Sequence, residues 1–364
     1  MEETFHFVAP REAMVLPLEG TLREIIFGGG RASKLVNRFA VPIRPQLSPP
    51  TLQAQQTKTR DSDNALTFSN LPTEIHYLIF DHIEFVEDVT CLGLVNQYFL
   101  TLAQGYLHDY YKSFLGTWAG KNLVCVGEEV EPDDYPAGLF SSEELDTLRP
   151  LRSNVLRNMG GRWKYMQRNT PFALSHFADP SVSDMDHFVH PGDVARYILK
   201  DCKSRDKSKD PVFAARSRWI IPRDSTYFPR NQPWILRNLT TKEFVRSEAI
   251  AIKPEYINGP HIRVVGFGEV IMLRTCWSSS PSTVRINNTT GSPRGVWAGH
   301  RFDITTLARH EGGIDSAGWS DVSDEVAGEI AEVWRHEFGA DIRKDLVYWY
   351  PRRPNSSIFT ATPP

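Results

Sequence analysis

Two stretches of the chain gather side chains that could do acid–base or metal chemistry. The denser one, Ser175–Asp193, holds His176, Asp179, Asp184, Asp186, His187, His190 and Asp193. Carboxylates and imidazoles are common ligands of a divalent metal. The spacing argues against a site here. His187-x-x-His190 abuts a Pro-Gly turn and is not the i,i+4 pair that sets two imidazoles on one helical face. A solvated polar loop explains the stretch better. The second stretch holds His300, Arg301, Asp303, His310 and Glu311, which could supply a general acid or base. It lacks a nucleophile, because no Gly-x-Ser-x-Gly occurs and no cysteine lies nearby. The expectation is no catalytic residue, no metal and no cofactor. An enzyme using the His/Asp clusters at 176–193 or 300–311 is the alternative.

A third stretch, Trp234–Arg246, offers binding rather than catalysis. Thr240 with Glu243 has capping-box spacing and predicts a helix reaching about Ile252. A helix start attracts anions, so Arg237, Asn238 and Arg246 are candidate contacts to a phosphate or carboxylate on a recruited substrate. The competing reading is a capped helix with both arginines in structural salt bridges. The glycine run Gly28–Gly30 has no following Gly-Lys-Ser/Thr and does not predict a phosphate loop.

The elements that would carry these groups read as mixed α and β. Asn122–Val126, Trp163–Met166, Trp219–Pro222 and Trp234–Leu236 read as strands. Val264–Phe267 and Val270–Leu273, split by Gly268, read as a strand with a bulge or turn. Ser141–Leu148 reads as a short capped helix, and Asp193–Lys200 has helical character. Val322, Val326, Ile330, Val333, Trp334 and Phe338 fall at helical spacing, with Ser320 or Asp321 to cap and Gly339 to close. Leu18, Leu22, Ile25 and Ile26 suit a short amphipathic helix, whereas residues 40–65 are rich in Pro, Gln, Thr and Ser and read as a linker. Gly116-x-Trp118-Ala119-Gly120 recurs as Gly295-x-Trp297-Ala298-Gly299. Five positions do not establish a duplication. They fit two similar turn-to-strand entries, each anchored by a buried Trp.

The whole chain narrows the classes. Its 364 residues suffice for more than one domain. A net charge of -3 gives no global drive toward nucleic acid. No run approaches the ~18–20 apolar residues of a membrane span. The four cysteines are scattered and form no zinc pattern, which fits a reducing compartment. Without a secretory signal, the Asn-x-Ser/Thr triplets at Asn238, Asn287, Asn288 and Asn355 read as chance matches. These features predict a protein of cytosol or nucleus, with no nucleic-acid or membrane partner.

The most specific pattern lies at Leu71–Phe99. Pro72 suits a first helical turn, and Asn70 could cap. Ile75, Ile79 and Ile83 follow at i, i+4, i+8, with Phe80 beside them and Tyr77–Leu78 on the flank. Asp88 suits a second helix start, and Val89, Leu92 and Val95 follow at i, i+3, i+6. Asn96 could break or cap, and Tyr98, Phe99, Leu100 and Leu102 supply a third short helix. Three helices in about forty residues rarely stabilise themselves well.

This order of residues resembles an F-box: Leu71-Pro72, Glu74-Ile75, Ile79-Phe80, Ile83, Asp88-Val89, Leu92, Leu94-Val95 and Phe99. Asn96 stands where the family usually has Cys or Ser, and Phe99 where it usually has Trp. The resemblance spans about residues 66–107. Trp118–Gly120, Leu123–Gly127, Trp234–Arg246 and Trp297–Asp303 are similar to the C-terminal part of fungal F-box proteins. It implies a non-catalytic subunit that binds a Skp-type adaptor and, through it, the cullin and RING subunits of a ubiquitin ligase, and presents an unknown protein substrate. Leu71, Pro72, Ile75, Ile79, Phe80, Ile83, Val89 and Val95 would face the adaptor or build the hook's core. An F-box protein acting outside a ligase is the alternative. The expected architecture is α+β. A largely disordered flank at 1–65 precedes a three-helix F-box at 66–107. A mixed α/β substrate domain with Trp-anchored strands follows at 108–350, and a disordered tail at 351–364.

Overall fold

The computed structural model describes residues 3–27, 32–43, 68, 71–159, 162–186, 191–205, 224–279, 294–313 and 317–339. The expected linker beyond residue 43, the strand at 219–222, His187, His190 and the tail lie outside them, whereas at its start Ala40 bridges to Ile304 and is therefore ordered chain. The fold is α+β. In order it comprises β1 (Thr4–Ala9), β2 (Met14–Thr21), α1 (Leu22–Phe27), α2 (Ser33–Phe39), α3 (Thr73–Asp81), α4 (Val86–Val95) and α5 (Gln97–Lys112). Then come β3 (Val124–Gly127), α6 (Ser142–Leu148), β4 (Arg152–Met159), β5 (Arg162–Pro171), β6 (Asp184–Met185), α7 (Pro191–Arg205) and α8 (Asp224–Tyr227). The chain continues with β7 (Trp234–Asn238), β8 (Glu243–Arg246), α9 (Ser247–Ile250), β9 (Ile257–Asn258), β10 (His261–Ile262), α10 (Phe267–Thr275) and β11 (Cys276–Trp277). It closes with β12 (Phe302–Thr306), α11 (Leu307–Glu311), β13 (Ser320–Asp321) and α12 (Ser323–Phe338).

Two compact units result, and their boundaries differ from those the sequence suggests. One takes residues 1–41, 116–188 and 230–364, and the other 42–115 and 189–229. The expected disordered flank is corrected over 4–39. Phe5, Phe7, Val8 and Val15 are buried in a sheet, because β1 pairs with both β2 and β3. The expected helix from Thr240 is also corrected. The Asn238 side chain accepts from the backbone N–H of Thr240 (3.1 Å), Lys242 takes a left-handed φ of 55°, and the chain turns back into β8. Asn supplies such turns readily. Conversely, the expected strand at 264–273 is helix α10. Gly266 precedes it, its N–H donates to Glu269 (2.9 Å), and residues Phe267–Met272 are all buried. A helix apolar all round lacks the 3.6-residue signature.

The first unit contains two equivalent halves. Its five-stranded sheet runs β11-β3-β1-β2-β6, and its four-stranded sheet runs β12-β7-β8-β13. Both centre on a hairpin whose turn ends in a left-handed residue, Ala13 or Lys242. Phe7 faces Cys125 in one half and Leu236 faces Ile304 in the other. Both hairpins add a short parallel edge strand, Met14 opposite Asp184 and Glu243 opposite Ser320. Each sheet is completed by the residue that follows the other half's helix. Cys276 after α10 pairs in parallel with Cys125, and Ala40 after α2 pairs in parallel with Ile304.

The repeated Gly-x-Trp-Ala-Gly turns join the halves reciprocally. The Gly120 N–H donates to Phe302 O (2.8 Å), and the Gly299 N–H donates to Leu123 O (2.8 Å). The Trp118 N–H donates to Arg38 O at the end of α2, and the Trp297 N–H to Arg274 O at the end of α10. Both indoles are buried, and both second glycines have positive φ, 79° and 83°. The two helices meet where Gly268 approaches the Ala32 backbone. An interface in which residue i meets j and j meets i has approximate two-fold character.

Candidate functional site

The second unit is built on α3, α4 and α5, the last of which runs to Lys112. Gly93 of α4 has room for no side chain, since a Cβ there would lie 2.6 Å from Ala103 Cβ of α5. That closeness buries Val89, Leu94, Phe99, Leu100, Leu102, Ala103 and Leu107. Asn96 caps α5 as expected, its side chain accepting from the Phe99 N–H (2.9 Å). Within this unit Ile43 N–H donates to Tyr227 O, and His108 Nδ1 lies 3.1 Å from the Tyr227 hydroxyl. Burial lowers the pKa of His108 and raises that of Tyr227.

The inward face of α3 differs from the one its isoleucines suggest. His76 and Phe80, four residues apart, are the buried positions of α3. His76 Nδ1 lies 2.9 Å from the Tyr98 hydroxyl, and Nε2 lies 2.8 Å from Phe68 O. The Tyr98 hydroxyl also reaches Thr73 Oγ1 at 3.2 Å. Nε2–H donates to the Phe68 carbonyl, which can only accept, and the Tyr98 hydroxyl ties Nδ1 to Thr73. The ring packs among Phe68, Tyr98 and Phe99. Tyr106 stacks on Phe80 and hydrogen-bonds Asp81. Partial burial and that carboxylate raise its pKa to about 12.

With His76 and Phe80 turned in, apolar side chains are left outside. Ile75 is 39% exposed, Leu78 53%, Phe85 63% and Val95 60%. Pro72 is also exposed, and Leu71, Ile79 and Ile83 are half-buried. Of the eight residues assigned to an adaptor face or hook core, Phe80 and Val89 are core, and the others keep surface to offer. Leu78 and Phe85 were not among the eight, though Leu78 follows Ile75 at i+3. Phe85, just ahead of α4, leaves no periodic signal.

The other candidates are committed elsewhere. Arg237 forms a bidentate pair with Asp303 (2.8 and 2.6 Å) and lies 5.3 Å from the Trp319 ring. Asn238 donates to His300 Nδ1 (2.9 Å) besides holding its turn. Arg246 pairs with Asp321 (2.9 Å). These are structural roles, and with no helix starting at Thr240 the expected anion site is corrected. Asp186 binds Arg38 and accepts from the Trp118 indole. His176 caps its own turn through Ala173, and its pKa is lowered by burial. His310 sits between Phe244 and Trp319, its pKa lowered first by burial and then by Arg237. Among the described residues no group of three or more His, Cys, Asp or Glu could hold a metal ion. No helix among them is long and apolar enough to cross a membrane.

Comparison with known proteins identifies no relative: no protein-family model, curated protein or solved structure matches this chain.

Proposed function

We propose that the chain is an F-box-type substrate receptor. Its three-helix unit would dock on a Skp-type adaptor and so recruit cullin and RING subunits. The rest of the chain would hold a protein to be ubiquitinated. Proximity is then its whole contribution, and it needs no nucleophile of its own. The reading is carried by one observation. The residue order that resembles an F-box coincides with a helix exposing Ile75 and Leu78 on the side opposite His76 and Phe80. Fully burying such a side chain is worth about 1.5–3 kcal/mol, and a few residues of this kind usually dominate an interface.

Co-purification with a Skp-type adaptor tests the idea. Substituting Ile75→Glu with Leu78→Glu should weaken capture by at least about tenfold, while circular dichroism stays unchanged because neither residue is buried. Unaltered capture would sink the reading. Capture of adaptor without cullin would instead support a role outside a ligase.

A further inference from the structure

Two cysteines stand opposite each other on the last two strands at one end of the five-stranded sheet. Cys125 lies in β3, Cys276 opens β11, and the parallel register sets them opposite each other. Residues in register project from the same face of neighbouring strands, which lie about 4.8 Å apart. A disulfide spans Cα atoms roughly 4.4–6.8 Å apart. Both cysteines are reduced and buried. Their equivalents in the other half, Ala40 and Ile304, carry no sulfur, so the fold itself does not demand thiols at this exchange point.

Several features keep the pair at rest. The Cys276 thiol donates to Leu273 O at 3.4 Å. The buried Glu3 carboxylate, held by Ser278 Oγ and the Glu129 N–H, acts on both sulfurs. Burial first, with Glu3 adding to it, pushes Cys276 up to about 12 and Cys125 well above its ordinary value. The thiolate is the reactive form, so the seated pair is inert. The two-residue β11 ends the strand order of the sheet, held beyond it by the Trp277–Arg294 bridge and by the Gly295 N–H on Cys276 O, and local opening begins at such short terminal elements.

We propose that Cys125 and Cys276 are an oxidation site, a latent intramolecular disulfide that hydrogen peroxide forms when β11 lifts from the sheet. The Cys276 thiolate attacks one peroxide oxygen. The O–O bond breaks, a sulfenic acid forms, and the departing hydroxide takes a proton to become water. The Cys125 thiolate then attacks the sulfenic sulfur. The S–S bond forms, the S–O bond breaks, and a second water leaves. Two thiols and one peroxide give one disulfide and two waters, and the two electrons lost by sulfur reduce the peroxide. The product ties one half of the first unit to the other at the point where they exchange strands.

The test treats the full native chain with hydrogen peroxide, then unfolds it in an alkylating agent and maps the peptides. The expected result is a cross-linked Cys125–Cys276 peptide, a chain lighter by two hydrogens, and a raised urea midpoint. Cys125→Ala or Cys276→Ala should abolish the cross-link. Mapping of the unmutated chain stands even if a variant folds poorly. Full alkylation of both thiols overturns the proposal. So does oxidation to sulfinic acid without a cross-link, pairing only with Cys91 or Cys202, or a cross-link formed only in denaturant.

Discussion

In the first unit, the first half sets Val8 against Val124 across β1 and β3, whereas the second half sets Arg237 against Asp303 at the equivalent positions of β7 and β12. The same alignment matches Val126 with Thr305 and Val15 with Phe244. In the first half all four are valines, packed with Leu139, Phe172, Leu174 and Phe177 in one core. In the second, the guanidinium grips the carboxylate beside His310 and Trp319, and the buried Thr305 hydroxyl has no hydrogen-bond partner among the described residues. The halves keep their backbone: strand order, the left-handed turn residue, and the tryptophan whose N–H meets a helix end. What fills the sheet face is free to change from hydrocarbon to an ion pair. Backbone pairing and the two Trp turns therefore define this fold more than any particular core composition does.

The largest expected effect strikes the point where the halves meet. A Cβ on Gly268 would lie 2.0 Å from Ala32 O and 2.5 Å from Ala32 C. Those are backbone atoms, so α2 and α10 must separate. Overpacking costs about 1–3 kcal/mol and sometimes more, and Gly268→Ala should reach at least ~3 kcal/mol in urea unfolding. Gly328 in α12 has open space around it. Gly328→Ala should instead stabilise by about 0.5–1 kcal/mol. Equal effects of the two substitutions would remove Gly268 from the interface between halves.

A second difference is electrostatic. Glu269 opens α10, and its equivalent at the start of α2 is the neutral Ser33. Burial raises Glu269 from 4.5 to about 7, and the N–H donors of Gly266 and Glu269 only partly oppose it. Between those values the native chain holds a proton that the unfolded chain has released. Stability from this group is therefore lost as pH rises through that window and stays level above it. Converted at ~1.36 kcal/mol per unit, the loss is on the order of 3 kcal/mol. Glu269→Gln can still accept from Gly266 and should flatten that slope. It should be more stable than the native chain at about pH 8 and close to it at about pH 5. An unchanged pH profile by urea titration would mean that Glu269 does not carry the difference.

Much of this was legible where local chemistry and period agree. The Ser141–Glu144 capping box, the Asn96 cap and the α12 stripe closed by Gly339 all stand where their residue types place them. Helices α3, α4 and α5 were legible too, but not the direction in which α3 faces. Ile75, Ile79 and Ile83 outweigh one histidine in any hydrophobic count, and only the partners of His76, Phe68 O and the Tyr98 hydroxyl, draw it inside. The helix at 267–275 was hidden because burial on every side erases periodicity. The likeness of the two halves showed through as one five-residue turn only, since their common features are backbone hydrogen bonds, which many sequences can make. Arg237 and Arg246 looked like anion donors because their carboxylate partners, Asp303 and Asp321, lie far along the chain.

The Val–Val and Arg–Asp pairs give the finest comparison, because each half supplies the other's replacement. The Arg237–Asp303 pair is mostly buried, with side-chain exposures of 21% and 10%. Removing one partner of a buried pair leaves a charge without compensation, at about 3–5 kcal/mol when burial is complete. Water still reaches Arg237, so Arg237→Val alone should cost nearer ~2 kcal/mol, and Asp303→Val a similar amount. Changing both recreates the pair that β1 and β3 already carry at Val8 and Val124. A buried ion pair replaced by well-packed hydrocarbon is often neutral or stabilising. The double variant should therefore fall within about 1 kcal/mol of the native chain, far from the sum of the singles, a coupling that a double-mutant cycle reads directly. Additive losses would mean that the second half has specialised around its ion pair and that the two sheet faces are no longer interchangeable.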